Sequence, residues 1–235
     1  MDPWSVGLAA LVAVGLVAIV FGALYDRRRN QRRAQQMLAP PSRPIPRFRA
    51  DAPPPQYLSE LQARRPTTGA VTEGALTAEQ RAQLTEQLAA DPGSAVPAGY
   101  ASADFVTDRA SGWAVLDDPV VCLCGDAVTS SRELLGLLER VILSRTPLVL
   151  VAPEVARDVL STLEVNRIQQ RLSVVVVLLP DAADRDRVAE LCGAQRSQRA
   201  DRQAGYLPPS ELGRCDRWVS TVRSSHVLAH RTAAT

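Results

Sequence analysis

The stretch "PLVLVAPEVARDVLSTLEVNRIQQ", Pro147 to Gln170, decides the fold. Pro147 to Ala152 is a short continuous apolar run, the mark of a buried strand. It passes into an amphipathic helix in which Val155, Val159 and Leu163 recur at a spacing of four, with Pro153 suited to the first helical position. In many α/β enzymes the tip of such a unit carries a phosphate loop or a catalytic group. Here the tip is Ala152-Pro153-Glu154, which carries neither.

The same alternation runs outward on both sides. "VVCLC" (Val120 to Cys124) reads as a buried strand. Ser130 and Glu133 have the spacing of a capping box ahead of "RELLGLLERVIL", where Leu134, Leu138 and Val141, with Leu135 and Ile142, line one helix face. "SVVVVLLP" is a third strand, apolar on both faces. Asp181 and Asp184 open a helix that closes at Gly193, and "DRWVSTV" is a late strand. Strands separated by single helices predict an α/β fold with a mixed or parallel sheet.

Residue usage narrows the chemistry. All 27 basic residues are Arg, so a Schiff-base Lys, a phosphate-loop Lys or a Lys general base is excluded. Asp117-Asp118 has the look of a phospho-acceptor pair, but that chemistry needs a Lys as well. His226 and His230 are the only histidines. Their spacing in "HVLAH" would suit a metal on a helix, but no third ligand lies nearby, and the segment reads as a frayed tail. Cys122 and Cys124 share one side of a strand, Cys192 and Cys215 are isolated, and all four read as reduced core thiols. No cofactor, metal or catalytic residue is expected, and the chain is read as a non-enzyme.

Charge is uneven. Residues 26–50 carry eight Arg and one acid, whereas 51–235 carry 19 Arg and 23 acids. A mildly acidic globular part argues against nucleic-acid binding. "SVGLAALVAVGLVAIVFGAL" (Ser5 to Leu24) is uncharged, flanked by Trp4 and Tyr25, and followed by "DRRRNQRR". This pattern predicts a retained single-pass transmembrane helix in a bacterial plasma membrane, with the N-terminus outside and the remainder cytoplasmic. Arg27, Arg28, Arg29, Arg32 and Arg33 would then face anionic headgroups. "APPSRPIPR" and "DAPPPQY" read as a polyproline-like spacer, and "PPQY" is weakly similar to a WW-domain ligand. "LTAEQRAQLTEQLAAD" reads as a helix capped by Thr77 and Gln80, with Leu84 and Leu88 as a narrow stripe. The expected organisation is a short N-terminus (1–4), a spanning helix (5–24), an Arg/Pro-rich linker (25–71), a short helix and connection (72–97), a globular domain (98–230) and a tail (231–235).

The globular part resembles the apical domain of GroEL-type group I chaperonins. "TPLVLVAPEVARDVLSTLEVNRIQQ" is similar to its centre, "GYASADF" (Gly99 to Phe105) to its opening, and "WAVLDDPVVCLCGDAVTSSRELLGLLERVI" to its first strand pair and groove helix. "SVVVVLLP" and "ELGRCDRWVSTVRSSHVL" are similar to later strands. The chaperonin's equatorial ATPase is missing. The resemblance implies a groove between two helices that holds polypeptide. Leu135 and Leu138 fall on the first helix, Leu160 and Val165 on the second, and Tyr100 and Phe105 on a lower loop. Glu164 stands where the family places an apolar groove residue, and Asp104 where it places an aromatic. Two acids in an apolar groove lower its affinity for greasy segments and add a charge preference. The expectation is a membrane-anchored, non-catalytic scaffold or adaptor that binds a protein partner, a membrane complex or itself. A membrane-tethered polypeptide holdase is the alternative.

Overall fold

The computed structural model describes residues 3–38, 60–65 and 75–228. In chain order the helices and strands are α1 (Pro3–Leu38), α2 (Glu60–Ala63), α3 (Ala78–Ala90), β1 (Ala95–Val96), β2 (Ala114–Asp117), β3 (Val120–Cys124), α4 (Leu135–Ser144), β4 (Leu148–Ala152), α5 (Arg157–Ile168), β5 (Val174–Leu178), α6 (Ala182–Cys192), β6 (Arg196–Ser197), α7 (Arg199–Gln203), β7 (Gly213–Arg214), β8 (Arg217–Ser220) and β9 (Ser225–Leu228). Contacts divide the chain into two compact units, the first ending at Tyr57 and the second starting at Leu58. The proline-rich spacer, "PPQY", His230 and the tail lie outside the described residues.

In the first unit the expectation of a membrane span is corrected. Ser5 to Leu24 lies within α1, but among the described residues no helix is long and apolar enough to cross a membrane. The uncharged run ends at Tyr25. Asp26, Arg27, Arg28 and Arg29 follow directly. The single-pass plasma-membrane placement rested on that span, as did the headgroup contacts of Arg27, Arg28, Arg29, Arg32 and Arg33. They fall with it.

The second unit is the mixed α/β structure that the alternation predicts. β3, β4 and β5 are parallel, with β4 in the middle. β3 is fully apolar and buried along its length, as is β4. The outer edge of β3 is shared: β7 pairs antiparallel with Val120 and Val121, and β6 pairs parallel with Leu123 and Cys124. A second, antiparallel sheet has the order β1-β9-β8-β2. Its side chains alternate as a pleated strand requires. Leu116 and Trp218 enter the main core, while Val115 and Val219 point the other way and close over Leu84 of α3. So α3 belongs to this unit and covers the outer face of the antiparallel sheet.

Helix starts follow local chemistry where the partner is local. Thr77 and Gln80 form the expected capping box at α3, and Asp181 accepts from the N–H groups of Ala183 and Asp184 at α6. Gly193 ends α6 at φ +67°, a conformation glycine takes without strain. Two expected helix starts are corrected. Pro153 does not open α5, which begins at Arg157; the intervening residues turn back so that Val155 bridges to Val128. Ser130 caps a 3-10 turn, Ser131–Leu134, but the Glu133 carboxylate accepts from the N–H and hydroxyl of Thr129 rather than closing the box. His226 is corrected too. It lies in β9, opposite Ala95 and Val219, not on a helix.

Two tight constraints tie the layers. Gly99 runs beside the end of β8, where an added Cβ would sit 2.2 Å from the Thr221 carbonyl oxygen. The next two N–H groups reach opposite sheets, Tyr100 to the Thr221 carbonyl at 3.1 Å and Ala101 to the Val176 carbonyl at 2.8 Å. The other constraint is a buried ion pair. Arg202 of α7, with its side chain fully buried, donates from Nε and Nη2 to Glu133 Oε2 at 3.2 and 3.1 Å. The rest of the guanidinium donates to the carbonyls of Ser197, Asp126 and Ala127. Burial pushes the Glu133 carboxyl up, but the Thr129 bonds and the Arg202 charge together hold it below its ordinary range.

Gly99→Ala is expected to lower stability by about 3 kcal/mol, because backbone atoms cannot swing away from the new methyl; chemical denaturation checks it. Glu133→Gln leaves Arg202 buried without its counter-charge and should cost about 3 kcal/mol at neutral pH. A carboxyl whose folded pKa is depressed stabilises above its unfolded value, near 4.3, and loses that contribution as pH falls through the folded one. The wild-type chain should therefore lose stability as pH drops below about 4. Glu133→Gln should flatten that acid limb in melts recorded from pH 7 to 3.

Candidate protein-binding surface

β3, α4, β4, α5 and β5 follow one another with the sheet growing in one direction. Right-handed crossovers then place α4 and α5 on the same face. In agreement, α5 packs against the Ser131–Leu134 turn that leads into α4, whereas α6 packs on β3, β7, β1 and β9.

On α4, Leu137 and Val141 are buried in the core, and Leu138 is half-buried against it. The opposite side is apolar as well. Leu135 is 53% exposed, Ile142 44% and Leu143 86%. Leu135, Leu138 and Ile142 lie at steps of three and four, a continuous apolar ridge on the helix surface. Ile142 and Leu143 were not singled out by the sequence as site residues. Apart from Glu139, Arg140 and Ser144, α4 is apolar on most of its circumference, so periodicity alone does not choose its inner face.

On α5, Leu160 is half-buried and packs against the core, Val165 is half-buried, and Glu164 is only 9% exposed. Tyr100 is half-buried, and its backbone bridges to Val177. Phe105 is fully buried, so it is a core side chain and offers no surface to a ligand. The expected set thus divides: Leu135 is freely exposed, Leu138, Leu160, Val165 and Tyr100 are partly so, and Phe105 is not.

Glu164 and Asp104, which stand out in the sequence as acids at positions expected to be apolar or aromatic, are brought together by a third residue. Arg64, just beyond α2, donates from Nη1 to Asp104 Oδ2 and Glu164 Oε2, both at 3.4 Å, and from Nη2 to Ser161 Oγ at 3.0 Å. Gln169, at the end of α5, donates from Nε2 to the carbonyls of Ala63 at 2.7 Å and Arg65 at 2.9 Å, with Gln62 further off at 3.3 Å. The Ala63 and Arg65 carbonyls lie at a helix end, where such groups turn to donors outside the helix, and the Gln62 carbonyl also accepts from the Arg65 N–H at 3.1 Å. Arg64, Ser161 and Gln169 carry no signal in the sequence, since Arg64 lies in the apparent linker, 100 residues before Glu164.

The crevice at the carboxyl ends of β3 and β6, where the strand order reverses, is where open α/β sheets hold ligands. Here the Arg202–Glu133 pair and the Asp126–Arg199 contact fill it. The four cysteines are buried, and burial pushes the thiols of Cys192 and Cys215 up to about 11 and about 12.

Two bacterial sequences place this geometry. Over 114 residues the chain is 40% identical to chaperonin GroEL 1 of Mycobacterium leprae (strain TN). About half of the chain is chaperonin-like. The match covers 48% of the chain and 21% of that relative. Chaperonin GroEL 1 of Mycolicibacterium gilvum (strain PYR-GCK) is 39% identical over 129 residues, 53% of the chain and 24% of the relative. The chain therefore spans less than a quarter of the length of the relatives it matches. A solved structure, the open state monomer of a group II chaperonin from Methanococcoides burtonii, aligns at 12% identity and a TM-score of 0.41, over 57% of this chain and 30% of that one. No protein-family model matches. The likeness to the two GroEL 1 sequences is consistent with a chaperonin apical-like domain.

Leu135→Glu is expected to change stability by no more than about 0.5 kcal/mol, because the side chain already meets water. Leu137→Glu, two residues on but core-facing, should cost more than about 4 kcal/mol by burying an unpaired charge. Thermal melts of the two variants separate ridge from core.

Proposed function

We propose that the second unit is a non-catalytic protein-binding module, a scaffold or adaptor that recognises one protein partner. The observation that carries this reading is the exposed ridge of Leu135, Ile142 and Leu143 on α4, beside a half-buried Leu138. Monomers seldom leave such a row uncovered without a use for it. Leu160 and Val165 on α5, with Tyr100 on the loop before β2, extend the contact. Glu164 and Asp104 give it a charge preference that generic unfolded chains do not satisfy.

A chaperone-like holdase is the second reading, favoured by the width and greasiness of the α4 ridge. The two differ in clientele. A photo-crosslinker placed at Leu143 in the full chain, activated in its native host, should give one or a few discrete adducts for an adaptor. A broad smear, with suppressed aggregation of a reduced, carboxymethylated protein in vitro, would favour the holdase. Leu135→Glu should reduce adduct yield at least tenfold; unchanged yield would remove the ridge from the contact.

A further inference from the structure

We infer that Asp104, Ser161, Glu164 and Gln169 form a socket for the end of a short arginine-bearing helix, and that the chain's own segment Glu60–Arg65 fills it as a displaceable latch. This rests on the reading of α5 as part of a protein-binding surface and deepens it by naming what that side recognises.

The chemistry of socket and segment matches at two points. Two carboxylates and a hydroxyl converge on the guanidinium of Arg64. The Gln169 amide supplies donors to the carbonyls that α2 leaves open at its end. A charge reader and a helix-end reader on one helix select for a particular element, an Arg at the close of a helical turn. Asp104 and Glu164 both form ion pairs with Arg64.

The same contacts explain why the latch is weak. Arg64 and Asp104 are each 40% exposed, both ion pairs are long, and α2 is a single turn. Exposed pairs of this sort are screened by salt. What holds the segment is its tether, since a linked segment meets its site at an effective concentration of about millimolar. A contact that holds a free peptide only weakly therefore still closes in cis. A partner that reads the Glu164 side of α5 must first displace Arg64, so the segment sets a threshold for binding.

The test is fluorescence anisotropy with a labelled peptide of residues 58–65 and the full chain. Wild type, already filled in cis, is expected to bind it poorly. Arg64→Glu expels its own segment and should bind the peptide at least tenfold more tightly. Adding Asp104→Asn, or raising salt from 50 to 500 mM, should weaken that binding. A second readout leaves the arginine in place. Trypsin cleavage after Arg64, followed by mass spectrometry, should run at least fivefold faster in Gln169→Ala than in wild type, whereas the bond after Arg65 precedes Pro66 and resists. Equal peptide affinity for wild type and Arg64→Glu, absence of binding to a folded Arg64→Glu chain, or equal cleavage rates each overturn the latch. Leu143→Glu should leave both readouts unchanged. Crosslinking at α4 that survives failure of the peptide assay sinks this inference and leaves the protein-binding reading standing.

Discussion

The direction in which the parallel sheet grows governs the rest of this structure. β3, β4 and β5 are laid down in sequence order without a reversal, so both crossovers deliver their helices to one face. Two helices in a row on one side of a three-stranded core create a surface between them without any special residue. The reversal comes only after β5, when β6 returns to the far edge of β3. That return sends α6 to the other face, where it meets the antiparallel sheet. Function in such a fold does not need the strand tips, because the topology has already made a surface out of helix sides.

The strand tips are occupied for a different reason. An order reversal beside β3 opens a crevice that in other α/β folds accepts a ligand. Here a guanidinium from α7 lies in it, donating to Glu133 and to three backbone carbonyls. Burying two charges is costly unless every donor and acceptor is used, and most of this pair's are. The bonds also join four pieces of chain: the loop after β3, the turn before α4, β6 and α7. The position of α4, and with it the exposed ridge, thus depends on a pair 69 residues apart.

What could be read from the sequence follows from how far away each deciding contact lies. β3, β4 and β5 were legible because a five-residue strand buried on both faces is apolar throughout. Thr77 and Asp181 were legible as caps because each bonds an N–H two or three residues on. Glu133 has the right spacing for a capping box and was misread, since Arg202 competes for its carboxylate from across the fold. β1, β6 and β7, two residues each, are too short to show any period. Phe105 matched a loop position by resemblance, but its burial is fixed by the packing of its turn against α5 and β5. The uncharged N-terminal run is a case of the opposite kind: a pattern legible as a span to which the described part of α1 gives no support.

The acids on the second helix show most clearly why a site can hide from its own sequence. Taken alone, Glu164 on α5 degrades an apolar groove, and Asp104 on the neighbouring loop repeats the fault. Together they converge on one guanidinium, and the two apparent faults become one recognition element. A buried carboxylate without a counter-ion would be costly; with an exposed arginine held by a tether, that cost is offset only while the segment stays in place. Removing the segment exposes two like charges near each other. The surface is therefore most stable when something cationic lies on it. The chain's own segment and an arginine-bearing partner compete on equal chemical terms, and the tether decides which is seated when no partner is near.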